Sequence, residues 1–139
     1  MRSRSTQEHE MKPLILVVDD EDETRLMLRI LLELKGFRVE EAVDGLDALK
    51  KVNEVNPSVM ILDVMMPNMD GLTVCRRLRS QSETANLPVI MLSGKTHLSA
   101  DAEGLTAGAN AYMSKPANIK KLVENVNQLL AQQLVTETN

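Results

Sequence analysis

Short apolar runs alternate with helix-like segments along residues 12–134, and this alternation constrains the fold more than any other feature of the sequence. The apolar runs occupy residues 14–18, 38–42, 59–62, 89–92 and 111–114. The segments with helical spacing lie at about 22–35, 45–55, 70–80, 97–108 and 117–134. Such alternation is typical of repeated βαβ units, which build a mainly parallel sheet. The sequence therefore predicts an α/β fold with five strands and five flanking helices.

The composition of the strands predicts their order in the sheet. The first, third and fourth runs are continuously apolar, as expected for strands that helices cover on both faces. The second and fifth runs, Arg38–Ala42 and Ala111–Ser114, include polar residues, so we expect them at the two edges. The pattern agrees with the flavodoxin-like order 2-1-3-4-5 of a doubly wound parallel sheet.

Two of the predicted helices have unusual compositions. The first is apolar around most of its circumference, with only a narrow polar stripe of Arg25, Arg29 and Glu33. Burial against a sheet needs about 100° of that circumference, so the excess indicates either a partner-docking face or packing against the last helix. The fourth helix contains Gly104 and Gly108, each of which costs roughly 1 kcal/mol relative to alanine. We expect this helix to be the one that moves.

Composition narrows the domain organisation and the classes of function. Residues 1–11 are polar and lack periodicity, which predicts a disordered tail before one domain at 12–135 and a short tail at 136–139.

A net charge of -4 and a pI near 5.2 argue against direct nucleic-acid binding. No apolar run approaches the roughly 18 residues of a membrane span, so we expect a cytoplasmic protein with no membrane contact. The single cysteine, Cys75, excludes an internal disulfide and is expected to be a small buried hydrophobic residue.

Polar residues directly follow three of the apolar strands. They are Asp19-Asp20-Glu21 after the first strand, Asp63 after the third, and Ser93-Gly94 after the fourth. The carboxyl ends of parallel strands open onto one crevice, where ligands bind. We therefore expect Asp19, Asp20 and Asp63 to lie close together.

Three neighbouring carboxylates favour a bound cation, because without one they repel each other and raise each other's pKa. Oxygen ligands without histidine or thiolate favour Mg²⁺, with Mn²⁺ as a second possibility. Lys115, at the end of the fifth strand, and Ser93 would add an ammonium and a hydroxyl at the same edge. Such a set suits phosphoryl transfer, with Asp63 attacking in line to form an aspartyl-phosphate.

Four motifs of the sequence resemble those of a known family. They are Val17–Glu21, Leu62–Gly71, Pro88–Gly94 and Tyr112–Pro116. In order and spacing they resemble the response-regulator receiver family of two-component signalling, of the chemotaxis-regulator type, over residues 12–134. The resemblance implies that Asp63 is the phosphoacceptor.

The resemblance also implies roles for the residues around Asp63. Asp20, Asp63 and the backbone carbonyl of Met65 would bind Mg²⁺, with Asp19 acting mainly through water. Ser93 and Lys115 would bind the phosphoryl oxygens, and a cis peptide bond would precede Pro116. Ala117, which replaces a bulky apolar residue frequent in the family, is expected to loosen packing at the start of the fifth helix.

The family resemblance further implies a switch and its partners. Ser93 would turn toward the phosphoryl group and Tyr112 would follow, which changes the face formed by helix four, strand five and helix five. The donor would be a sensor histidine kinase or a histidine phosphotransfer protein. The output would be a downstream effector protein or an output domain missing from this chain, which would be a monomer or a phosphorylation-dependent dimer. The protein would be a switch that catalyses only its own phosphorylation and dephosphorylation.

Other interpretations of the same residues remain open. Asp22 and Glu23 are better explained as acidic residues at a helix N-terminus, and Asp70 as a helix N-cap. A Mg²⁺-dependent phosphatase would also use an aspartyl nucleophile, but it usually has a second acid two residues later, where this chain has Met65. A pseudo-receiver that only binds partners would not need the complete set of site residues.

Overall fold

A parallel sheet forms the framework of the protein. The computed structural model describes residues 12–94, 103 and 105–138. Within them, one sheet contains β1 (Leu14–Val18), β2 (Arg38–Ala42), β3 (Val59–Asp63), β4 (Val89–Ser93) and β5 (Ala111–Ser114). The strand order is β2-β1-β3-β4-β5, and all neighbouring strands are parallel. The predicted strands and their order are confirmed.

Helices connect the strands and cover both faces of the sheet. In the described residues they are α1 (Asp22–Leu34), α2 (Gly45–Val55), α3 (Gly71–Arg79) and α4 (Ile119–Thr138). Most of the predicted helix at 97–108 lies outside the described residues, although Glu103, Leu105 and Thr106 are helical. The predicted tail at 1–11 also lies outside them. No helix in the described ranges combines the length and the apolar character that crossing a membrane requires.

The last helix is longer than predicted. The sequence placed its end near residue 134 and a tail from 136, but α4 continues to Thr138. The segment after Leu130 contains neither glycine nor proline, so nothing in it terminates the helix. By contrast, α1 ends at Leu34 next to Gly36, which adopts a positive φ of 96° as a terminating glycine does.

The strands divide their side chains between two cores. Ile15 and Val17 of β1 pack with α1 and α4 on one face, whereas Leu16 and Val18 pack with α2 and α3 on the other. All residues of β1, β3 and β4 are buried. Three residues of β2 and all four of β5 are at least partly exposed, and both mixed strands lie at the edges of the sheet, as predicted.

The connection between β3 and α3 is held close to the end of the strand. The Val64 N–H donates to the Leu92 carbonyl at 3.0 Å, and the Val64 carbonyl accepts from the Gly71 N–H at 3.0 Å. The Asp70 side chain accepts from the Thr73 N–H at 2.8 Å, which confirms its predicted role as an N-cap. The start of α3 therefore sits directly against the backbone that follows Asp63.

Replacing Gly71 with alanine should destabilise the fold. A Cβ at this position would lie 2.9 Å from the Val64 Cα and would clash with the Asp63 carbonyl, both of which are backbone atoms. Overpacking of this kind costs about 1–3 kcal/mol in the free energy of unfolding, measured by urea denaturation. Gly94→Ala is the matched control, because a Cβ there meets no described atom within 4 Å. Equal stability of the two variants would contradict the close-packing argument.

Candidate functional site

Three carboxylates meet at the carboxyl end of the sheet. Asp19 follows β1, Asp20 is the next residue, and Asp63 is the last residue of β3. One carboxylate oxygen from each lies within 4.8 Å of the others. Asp19 and Asp63 are only 1% and 3% exposed, whereas Asp20 is exposed. The predicted clustering of these residues is confirmed.

Lys115 supplies positive charge to this cluster. Its ammonium Nζ lies 2.7 Å from Asp19 Oδ2 and 3.3 Å from Asp63 Oδ1. Its backbone N–H donates to the Ser93 carbonyl at 2.8 Å, which extends the pairing of β4 and β5 by one residue. The Lys115–Pro116 peptide bond is cis, as predicted. The end of β5 thus places one ammonium between two buried carboxylates.

Burial dominates the electrostatics of Asp63. Loss of water around its charged form and repulsion by Asp19 raise the pKa of Asp63 from 3.8 to about 6, although Lys115 and the Met65 N–H oppose the shift. For Lys115, burial alone would lower the pKa, but the hydrogen bond that its ammonium donates to Asp19 and the charge of Asp63 raise the pKa. The ammonium therefore stays charged at neutral pH, and a further cation near Asp63 would favour its ionised form.

The remaining predicted residues surround the cluster. Ser93 is fully buried at the end of β4, beside the position of Asp63 in β3. The Met65 N–H donates to Asp63 Oδ1 at 3.3 Å, while the Met65 side chain is exposed. Tyr112 lies in β5 and packs against the core on the α2 and α3 face of the sheet. All the predicted residues thus lie on strands or loops that meet at this edge of the sheet or lead to it.

The donor set fits a hard divalent cation. Among the described residues, Lys115 is the ammonium that contacts the carboxylates, and three carboxylates outnumber it. Both oxygens of Asp19 already have partners, since Oδ1 accepts from the Glu21 N–H at 2.9 Å and Oδ2 binds Lys115. Exposed Asp20 is the more accessible ligand. Excess negative charge on oxygen atoms is what Mg²⁺ and Mn²⁺ prefer.

The sequence interpretation missed the role of Arg25. It assigned this residue to the polar stripe of the first helix, but Arg25 is only 8% exposed. Its NH1 donates to the Asp19 carbonyl at 2.7 Å and its Nε to Glu41 Oε1 at 3.1 Å. Arg25 stands three residues after Asp22, a spacing that indicates a helical ion pair, but no sequence signal pointed to Glu41.

The apolar excess of α1 faces solvent. Leu26, Met27, Ile30 and Leu34 are between 45% and 76% exposed, so α4 does not bury them. Of these four residues, Met27 borders an apolar pocket of about 260 Å³, whose lining also includes Leu28, Leu92, Lys115, Pro116 and Ala117. Ala117, at which the sequence predicts looser packing, lines this pocket and also packs against the core on the α1 and α4 face of the sheet. Acidic Asp22 and Glu23 lie in the first turn of α1, as predicted.

Several known proteins resemble this chain over most of its length. The sequence profile described as "Response regulator receiver domain" matches residues 15–127. The response regulator MprA of Mycobacterium ulcerans is 42% identical over 84% of this chain and 49% of its own length. The DNA-binding regulator RpaA of Synechocystis is 36% identical over 85% of this chain and 49% of its own length. The chain therefore spans about half the length of these curated relatives.

Solved structures share this fold over most of the chain. A response regulator from Chloroflexus aurantiacus has a TM-score of 0.83 and 38% identity, and the match covers 86% of this chain and 98% of that one. The chemotaxis protein CheY4 of Vibrio cholerae has a TM-score of 0.80 and 33% identity, covering 85% and 98%.

The raised pKa of Asp63 predicts a pH-dependent gain in stability for Asp63→Asn. Because the pKa rises from 3.8 to about 6 on folding, the stabilising contribution of the protonated carboxyl is complete below pH 3.8 and is lost as pH rises through about 6. In protein stripped of divalent cations, the variant should gain about 1–3 kcal/mol in urea denaturation near pH 7.5 and almost nothing near pH 4.

Asp47→Asn is a control for which we expect the opposite change in stability. Burial alone would raise the pKa of Asp47, but the Val43 N–H and the Lys51 ammonium lower it. Ionised Asp47 therefore favours folding, and this variant should lose stability near neutral pH. A loss of stability in Asp63→Asn at neutral pH, or the same gain at both pH values, would contradict the electrostatic account.

Proposed function

The chain belongs to the response regulator receiver family, and from this premise we propose that Asp63 takes a phosphoryl group from a phosphohistidine protein and thereby switches partner binding. Receiver domains of two-component systems are signalling switches rather than conventional enzymes. The observation that carries the assignment to Asp63 is its position, 3.3 Å from the Lys115 ammonium and within 4.8 Å of the oxygens of Asp19 and Asp20.

We propose that Asp20, Asp63 and the Met65 backbone carbonyl bind Mg²⁺ or Mn²⁺, and that Asp19 acts through water. The exposure of Asp20 and the occupied oxygens of Asp19 support this division. When bound, the cation would neutralise charge on the phosphoryl oxygens. It would also favour the ionised form of Asp63 that attack requires.

The chain's own residues would carry out the transfer. A carboxylate oxygen of Asp63 would form a bond to phosphorus in line with the phosphorus–nitrogen bond of the donor, which breaks and leaves its electron pair on the imidazole. Lys115 is held in place by its bond to the Ser93 carbonyl, and its ammonium would bind a phosphoryl oxygen. The Ser93 hydroxyl would donate to another. These groups would catalyse only phosphorylation of the chain itself and its reversal by hydrolysis.

The proposed switch runs from Ser93 to Tyr112. These residues lie at the end of β4 and in the neighbouring strand β5, where Tyr112 pairs in register with Met91. Movement of Ser93 toward a phosphoryl oxygen would change the packing available to the Tyr112 ring. The face that the sequence predicts for the fourth helix, β5 and the last helix would then change its affinity for a partner.

Partner proposals follow from the surface beside the site. The exposed apolar residues of α1 and the pocket next to Lys115 would receive a sensor histidine kinase or a histidine phosphotransfer protein. Their position would bring the donor histidine close to Asp63. The output would be a separate effector protein or an output domain, since RpaA, a DNA-binding regulator, is about twice as long as the matched region. The chain would act as a monomer or as a phosphorylation-dependent dimer.

Phosphoryl uptake tests the assignment directly. With Mg²⁺ and acetyl phosphate, the intact mass of the protein should rise by one phosphoryl group, and Asp63→Asn should abolish the increase. Asp70→Asn is the matched control, because an amide oxygen can still cap α3. Absence of uptake by the wild type would favour a pseudo-receiver. Sustained release of phosphate from a phosphomonoester would favour a phosphatase.

The switch has its own spectroscopic test. The chain contains a single tyrosine, so the ring resonances of Tyr112 are assigned without ambiguity. They should shift when acetyl phosphate and Mg²⁺ are added, and Ser93→Ala should remove most of the shift while uptake remains measurable by mass. Ser80→Ala, which removes an exposed hydroxyl at the end of α3, should behave like the wild type. An unchanged shift in Ser93→Ala would exclude the proposed route.

A further inference from the structure

Arg25 connects the backbone after β1, at Asp19, to Glu41 of the edge strand β2. Although it carries a charge, this side chain is only 10% exposed. Its three nitrogens donate to three different groups: NH1 to the Asp19 carbonyl, Nε to Glu41 Oε1, and NH2 to Asp22 Oδ1. Burial alone would lower the pKa of Arg25, but the two carboxylates raise it, so the charge is retained. A buried guanidinium with three acceptors has one orientation.

The bond to Asp19 fixes the backbone from which the carboxylates project. On one side, the Asp19 N–H donates to the Ala42 carbonyl of β2 at 3.2 Å. On the other, the Asp19 carbonyl accepts from Arg25 NH1 at 2.7 Å. This carbonyl belongs to the peptide bond that joins Asp19 to Asp20. The orientation of that peptide therefore determines where both carboxylates point.

Glu41 holds the guanidinium in place. Its Oε1 accepts from Arg25 and its Oε2 accepts from Arg29 Nε at 2.7 Å. Glu41 lies in β2 opposite Val17 of β1, two residues before Asp19 in the chain. Lys51 Nζ also donates to the Glu41 carbonyl at 2.6 Å. The anchor of Arg25 is thus part of the sheet and does not move independently of β1.

We propose that Arg25, anchored by Glu41, is a positioning residue that orients the Asp19–Asp20 peptide for cation binding. This inference rests on the proposed function, because the cation is the one proposed at Asp20 and Asp63. Arg25 touches neither the cation nor the phosphoryl group and acts through the Asp19 carbonyl.

The charge of Arg25 makes the proposal testable. A positive charge near a cation site repels the cation, so loss of charge alone would tighten Mg²⁺ binding. Loss of orientation would weaken it, because supporting residues around metal ligands contribute about 10–100-fold in affinity. The two effects have opposite signs. Arg25→Gln removes both the charge and the three bonds, whereas Arg25→Lys keeps the charge and cannot reach three acceptors at once.

The experiment is a Mg²⁺ titration of the full chain followed by amide NMR, with no phosphoryl donor present. Arg25→Lys should weaken binding by about 10-fold, and Arg25→Gln should weaken it less, because loss of the charge offsets part of the loss of orientation. In both variants the metal-free spectra should show a change at the Glu21 amide, which donates to Asp19 Oδ1. Arg29→Gln is the matched control, since Arg29 shares Glu41 and the helix but does not contact Asp19. It should leave the affinity and the Glu21 amide almost unchanged.

A second variant covers the case in which the Arg25 variants do not fold. Glu41→Gln keeps the Arg25 guanidinium but weakens the group that anchors it. Glu33→Gln is its control, because it also removes one negative charge, but Glu33 pairs with Arg29 and not with Arg25. Glu41→Gln should therefore reduce Mg²⁺ affinity more than Glu33→Gln. Tighter binding in Arg25→Gln, or equal affinities in Arg25→Gln and Arg29→Gln, would overturn the inference. Wild-type protein that binds Mg²⁺ but takes up no phosphoryl group would instead overturn the proposed function and leave this inference standing.

Discussion

One ammonium shared between two buried carboxylates is the interaction on which the rest of the site depends. Asp19 follows β1 and Asp63 ends the neighbouring strand β3; both are almost inaccessible to water, so their mutual repulsion is strong. Lys115 contacts both and offsets part of that repulsion. Burial of Asp63, together with the remaining repulsion by Asp19, still raises its pKa to about 6, so Lys115 compensates only in part. Negative charge at this edge of the sheet therefore remains only partly compensated, and a bound divalent cation would compensate more of it.

The parallel sheet explains why so much of this site could be predicted from the sequence. A strand that helices cover on both faces has no polar positions, so its first polar residue marks the end of the strand. Asp19, Asp63 and Ser93 each meet this condition, and parallel pairing brings the three ends to one edge. The partly polar strands β2 and β5 indicated the edges for the same reason. These predictions required only burial and strand direction.

The support of the site could not be predicted in this way. Arg25 and Glu41 are separated by 16 residues, and both occur in segments where charged residues are ordinarily exposed. Their contact depends on the register that places Glu41 opposite Val17, which local patterns do not specify. The extent of α4 was missed for a different reason. The segment after Leu130 contains neither glycine nor proline, so the sequence contains no stop signal before Thr138, the last residue of the helix.

The hydrogen bond from the Lys115 N–H to the Ser93 carbonyl links the charges of the site to the strands β4 and β5. The N–H of Lys115 is tied to β4 at 2.8 Å, while its ammonium is tied to carboxylates that end or follow β3 and β1. A phosphoryl group on Asp63 would replace one carboxylate charge with a larger group of greater charge, and Lys115 would have to divide its contacts differently. Because its backbone cannot move without β4 and β5, the change would be transmitted to those two strands first. Tyr112 lies in one of them, as the proposed switch from Ser93 to Tyr112 requires.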